Sequence, residues 1–276
     1  MRGLLGFLVA IPVSGRIGVI IVVFWSLLAL FGPLIAPHEV GAVVADDVFA
    51  PLSLAYPLGS DYLGRDMLSR VLFGARYTVG LAFFAALLAS GLGTTLALFA
   101  VVSGRWIDEI VSRAMDTLIS IPSKIFALVM VAAFGSSVAL LLFTAALSYL
   151  PGAFRIARAL AVNLNTMEYV QVARVRGEGR AYIACVEILP NMLHPVLADF
   201  GLRFMFVVLL LSGLSFLGLG VQPPDADLGS LVRENISGLG EGAPAVVMPA
   251  LAIATLTIGV NLLIDSLRGG NPRGEA

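Results

Sequence analysis

The sequence predicts an all-α membrane protein with six transmembrane helices and both termini in the cytoplasm, and three observations carry that prediction. The 276 residues are 59% hydrophobic and 13% charged, against roughly 45–50% apolar and about 25% charged in soluble domains. Four charge-free runs, 17–36, 77–102, 204–224 and 242–264, reach the ~20 apolar residues that a bilayer-crossing helix needs. A fifth run, 125–154, is too long for one span and short for two, and the basic loops on its two sides decide how to divide it. Arg105, Arg113 and Lys124 precede it and Arg155, Arg158, Arg174, Arg176 and Arg180 follow it. Basic loops stay in the cytoplasm, so an even number of crossings separates them. Phe134-Gly135-Ser136-Ser137 supplies the turn of the resulting hairpin, whose first helix starts near Pro122, a residue tolerated at a helix N-terminus.

In chain order, the N-terminus has an early Arg2 and an apolar stretch, which raises a cleaved leader. No A-x-A-like site precedes residue 17, and the first run reads as a retained span. The outer segment that follows, Pro57 through Thr78, repeats Leu63, Met67, Val71 and Ala75 at four-residue intervals, with Asp61–Arg65 and Asp66–Arg70 as opposite charges at i,i+4. This spacing predicts an interfacial amphipathic helix leading into the second span. On this topology the outer segments hold Arg65, Arg70, Arg76 and Arg233, and the other 13 of 17 basic residues lie inside, as the positive-inside rule requires. The organisation is a first span with its outer segment, 1–76, and a five-span core, 77–276, that carries a cytoplasmic loop, 155–195.

That loop is the least oily part of the core. Asn165 followed by Glu168 forms a capping-box-like pair, predicting a helix over 166–176 that stops at Gly177. It is too short and too charged to enter lipid. Gly177 and Gly179 allow a bend into a second helical piece, 180–189, ended by Pro190. A short helix held between two spans is a lever, or alternatively a solvated connector.

Several function classes fall away. A net charge of -1 argues against a nucleic-acid partner. One cysteine, Cys185, and two histidines far apart, His38 and His194, leave no set of metal ligands. Lys124, the single lysine, lies between Ser123 and Ile125, so the chain has no phosphate-binding Gly-Lys-Ser/Thr motif of its own. The expected spans contain essentially no ionisable side chain, with Arg203 and Asp265 at their cytoplasmic ends. This disfavours an ion-coupled secondary transporter, the runner-up class. An intramembrane enzyme needs a convergent nucleophile and base, and no such pair is visible.

The loop resembles the cytoplasmic "EAA" loop of ABC importer permeases: Ala173, Gly177, Leu189 and Pro190 match, while Gln171, Val172 and Glu187 replace its Glu, Ala and Ile. Glu168-Tyr169-Val170, Ala173-Arg174, Gly177 and 188–191 (Ile-Leu-Pro-Asn) fit the fuller form found in the second permease of oligopeptide and dipeptide importers. "PLGSDYLGRDMLSRVLFGAR" before the second span and "LSFLGLGVQPPDADLG" after the fifth also resemble that branch. The resemblance covers nearly the whole chain. It implies the type I importer permease fold in a bacterial inner membrane, as a transport subunit rather than an enzyme. The implied partners are a second homologous permease, two ATP-binding subunits and a periplasmic solute-binding protein, with ATP and magnesium bound by the ATPases and no cofactor or metal on this chain.

The coupling surface is then expected at Glu168, Tyr169, Gln171, Ala173, Arg174, Arg176, Gly177, Leu189 and Pro190. Ser212, Ser215, Phe216 and Gly218, from a small-residue run, are the expected substrate path, helix packing being the other reading. Asp225, Asp227 and Glu234 could meet a binding protein or a substrate ammonium group, or belong to a solvated loop. Peptides are the expected cargo, and nickel complexes or glutathione-like solutes are the alternatives within the family.

Overall fold

The computed structural model describes residues 12–54, 56–241 and 243–269. Residues 1–11, on which the choice between leader and span turns, and 270–276, the expected cytoplasmic tail, lie outside that range. All the regular structure described is helical, apart from two isolated β-bridges, Val43 with Arg65 and Ser60 with Asp66.

Five helices are long and apolar enough to cross a membrane. They are α1 (Val13–Ile35), α2 (Met67–Ser103), α5 (Val138–Asn165), α7 (Arg180–Phe216) and α9 (Pro244–Gly269). The sixth candidate is a bent pair: α3 (Arg105–Ile119) and α4 (Ser123–Phe134) together are apolar and long enough to cross, and they meet at 80°. Pro122 explains the break, because it lacks an N–H and biases Ile121 away from the helical region. At 1.5 Å per residue α4 is roughly 18 Å long, too short to span alone. The hairpin after it turns where the sequence places it, with Gly135 at φ +88° and the Ser137 side chain capping α5 through the Leu140 N–H.

Small residues make the central seam. Ala82, Ala85, Ala89 and Ala97 of α2 are buried, as are Ala145, Ala153, Ala157 and Ala161 of α5. Without a hydrophobic drive between helices in lipid, close backbone approach supplies the dispersion contact. Gly93 marks the tightest point, where an added Cβ would come within 2.8 Å of Phe154 N and 2.9 Å of Ala153 Cβ. Gly93→Ala is therefore expected to cost about 1–3 kcal/mol in a detergent melt. Gly91→Ala, with nothing within 4 Å of its added methyl, should leave the melt unchanged. The first span joins the core at another glycine, Gly18, whose Cβ would meet Gly259 O at 2.8 Å. Trp25 Nε1 adds a hydrogen bond to Thr255 Oγ1 at 3.2 Å.

Three expected boundaries move. The outer amphipathic helix begins only at Met67, because Gly64 at φ +75° turns the chain against Ala45 O and Asp66 caps α2, accepting from Leu68 N and Ser69 N. Asp61–Arg65 is an ion pair at 2.6 Å, whereas the Asp66 carboxylate is spent on the cap and on the Ser69 hydroxyl, not on the Arg70 guanidinium. The fifth span does not end at Pro224: α7 stops at Phe216, and Gly218 at φ +85° turns the chain back into α8 (Leu228–Glu234). At its other end Pro190 does not terminate a helix. A π-helical turn, Ile183–Ile188, widens the coil ahead of the proline, and the helix runs on.

α7 is 37 residues long, about 55 Å, so it reaches past the bilayer. It also takes in residues that the expected span, 204–224, left at its cytoplasmic end. Asp199 and Arg203 lie inside α7, bonded at 3.0 and 3.1 Å. The guanidinium is packed so closely on Gly152 that a Cβ there would lie 2.5 Å from it. The pair neutralises itself within one turn.

Candidate functional site

On the cytoplasmic side, α6 (Glu168–Val175) crosses beneath the spans. Asn165 is the last residue of α5 and does not cap it. Met167 occupies the N-cap with no side-chain bond, while Glu168 in the first turn complements the helix dipole. The Asn165 side chain instead accepts from Arg174 Nη2 at 2.6 Å, and its carbonyl accepts from Gln171 Nε2 at 3.2 Å. These two exposed residues are thereby tied back to the end of α5.

The other end of α6 is closed by a Schellman motif. Glu178 N donates to Ala173 O at 3.1 Å and Gly177 N to Arg174 O at 2.9 Å, with Gly177 at φ +83°. That backbone conformation is the reason for glycine at 177. Arg176 and Glu187 approach at 3.8 Å, linking α6 to the π-turn.

The two faces of α6 differ in kind. Val170 and Ala173 are fully buried. Val170 joins a cluster with Ala97 and Ala100 of α2, Phe154 and Ala157 of α5, and Ile188 and Met192 of α7. Opposite them Glu168, Tyr169 and Arg176 are exposed, together with Val172 (56%) and Val175 (88%). Of the two more distant expected residues, Leu189 is half-buried and Pro190 exposed. Sequence reasoning passed over Val172 and Val175. The signal was there, since they sit at the helical positions left over once 170 and 173 face the core. A helix with one face locked into three spans and an exposed outer face that sets Tyr169, Val172 and Val175 among charged and polar side chains can receive a partner and pass its motion on.

On the outer side, α8 folds back onto α7. Gly229 lies against Ser212, where a Cβ would be 2.5 Å from the Ser212 carbonyl. Asp227 caps α8 through Ser230 N and binds Ser215 Oγ and Val221 N. Burial pushes its carboxyl above the ordinary range, against the lowering pull of those hydrogen bonds. Leu228 N donates to Thr78 Oγ1 at 3.0 Å, and Tyr62 N to Asn235 Oδ1 at 3.1 Å, so α8 plugs the outer mouth between α2, α7 and the outer segment.

Two acids and two bases lock that plug. Arg70 Nη1 contacts Asp61 Oδ2 at 2.7 Å and Glu234 Oε2 at 2.8 Å, while Arg65 reaches the same two carboxylates at 2.6 and 3.1 Å. Asp227 and Glu234 are thus structural, and Asp225 is half-buried beside them.

The four expected path residues divide between two faces. Ser212 and Phe216 line an open groove of about 500 Å³ with Leu209, Gly229 and Thr257. Ser215 and Gly218 line a separate cavity of about 380 Å³ at the outer mouth. Among the described residues no group of three His, Cys, Asp or Glu side chains is placed to hold a metal ion.

Comparison with known proteins agrees with this architecture. The family model described as "Binding-protein-dependent transport system inner membrane component" matches residues 89–269. The dipeptide transport system permease protein DppC of Alkalihalophilus pseudofirmus is 31% identical over 252 residues, covering 91% of this chain and 83% of that protein. DppC of Haemophilus influenzae is 31% identical, with coverage of 91% and 88%. The glutathione transport system permease protein GsiD of Pectobacterium atrosepticum is 34% identical, covering 78% and 72%.

Proposed function

The chain belongs to the inner membrane components of binding-protein-dependent transport systems, and we propose that with a second, homologous permease it forms the pathway for di- and oligopeptides. It is a transport subunit of an ABC importer and not an enzyme, and it resides in the bacterial inner membrane. The work comes from partners: a periplasmic binding protein delivers the solute, and two ATP-binding subunits, holding ATP and magnesium, close on the cytoplasmic loops.

One observation carries the mechanism, the two-faced α6. The apolar residues of its outer face, Tyr169, Val172 and Val175, meet an ATPase cleft. Its inner face, Val170 and Ala173, moves the ends of α2, α5 and α7 as one cluster. Closure of the ATPase dimer then rocks these spans and opens the outer mouth. A dipeptide cargo is supported by the likeness to the two dipeptide permeases. Glutathione is a second reading, supported by the likeness to the glutathione permease.

The test is reconstitution of the assembled complex in proteoliposomes. Uptake of labelled Ala-Ala is expected to require ATP and the binding protein and to survive collapse of ion gradients. Competition by glutathione weighs the second reading. Uptake that proceeds without ATP and stops with a protonophore would overturn the proposal.

A further inference from the structure

We propose that Arg233 is a binding residue for the α-carboxylate of the peptide as it enters from the outer face, a subsite that rests on the peptide-importer reading. The residue sits in the last turn of α8 and lines the outer cavity of about 380 Å³ with Tyr62, Ser215, Gly218, Gln222 and Glu234. That volume lies in the range of small-molecule sites, ~300–1,000 Å³.

Charge accounting around the cavity singles out this side chain. Asp61 and Glu234 are each held by both Arg65 and Arg70. Asp227 is turned into the fold, its oxygens taken by Ser215, Val221 and Ser230. Arg233 has no acidic partner among the described residues and is exposed to the cavity and solvent, so it is the excess cation of the cavity. Its guanidinium lies so close over Gly218 that a Cβ there would be 2.7 Å from Cζ. The glycine therefore sets its position, and Gln222 Nε2 holds the same turn through Gly218 O and Gly220 O.

A planar guanidinium held this way offers paired donors that match a carboxylate. Glu234, with two guanidiniums on it, is a poor receptor for the peptide's ammonium group. The cavity therefore selects the acid end. The concavity also favours a small solute over a patch on the binding protein, which would need a broader surface.

The test compares Arg233→Gln with wild type in the full complex, reading ATP-driven uptake of Ala-Ala, the affinity of the binding protein for the complex, and the melting temperature. Loss of a charge-assisted contact is expected to lower uptake about tenfold or more while docking and melting stay unchanged, and Arg233→Lys should restore part of the uptake. Equal uptake by the variant overturns the proposal, as does a loss that tracks weaker docking or a lower melting temperature. A wild-type complex that assembles but takes up no Ala-Ala sinks the peptide reading, and the subsite with it.

Discussion

Arg70→Ala is expected to lose about 3–5 kcal/mol of folding stability, the cost of leaving buried carboxylates without their counter-charge. Arg70 is 2% exposed and Asp61 0%, so solvent cannot take over the role of the missing guanidinium. Asp61 and Glu234 would then share Arg65 alone, and the bond that ties residues 61–70 to α8 would weaken on both sides. The readouts are a melt in detergent, whose midpoint should fall, and protease cleavage of the outer segment, which should rise with it. Both Arg70 contacts come from Nη1, so Arg70→Lys should recover part of the loss. Arg113→Ala, which breaks a solvated 3.8 Å pair with Glu109, should change nothing measurable. An Arg70→Ala protein that melts like wild type would refute the idea that this network locks the outer mouth.

Gly177→Val is expected to assemble normally yet lower peptide uptake about tenfold or more while ATP is still hydrolysed. At φ +83° an L side chain costs roughly 1–2 kcal/mol, enough for about a tenfold shift in population away from the Schellman closure that sets α6 on its cluster. An added Cβ meets nothing within 4 Å, so the effect is one of backbone conformation more than of packing. Gly179 has φ -73° and equally open space, and Gly179→Ala should therefore transport normally. Normal uptake by Gly177→Val would count against α6 as the lever.

Much of this was legible in the sequence because hydropathy and charge report on the solvent around each segment. The hairpin turn at Gly135, the first span and the C-terminal stop of α6 at Gly177 stand where composition and turn chemistry put them. What failed was set by distant partners. The run 204–224 is apolar throughout, so nothing local reveals that Gly218 turns and that Ser215 bonds Asp227. The i,i+4 charges before α2 suggested a longer helix, but Arg70 finds its second carboxylate on Glu234, 164 residues away. Asn165 and Glu168 suggested a cap, yet Asn165 remains inside α5 and spends its side chain on Arg174. The candidate coupling residues were legible as a group through the loop pattern. Which of them face outward depended on the cluster beneath α6, and that cluster draws on three helices far apart in sequence.

The account turns on α6 meeting an ATPase, and a single-cysteine crosslink tests that contact directly. Cys185, the one native cysteine, is replaced by Ser, and Cys is placed at Val175, 88% exposed on the outer face of α6. Leu54, fully exposed in the outer segment, serves as the control position. With the ATPases and binding protein co-produced, the Val175→Cys protein should crosslink to an ATPase and the Leu54→Cys protein should not. An assembled complex in which Val175→Cys never reaches the ATPase, or Leu54→Cys does, would contradict both the lever and the orientation of the chain in the membrane.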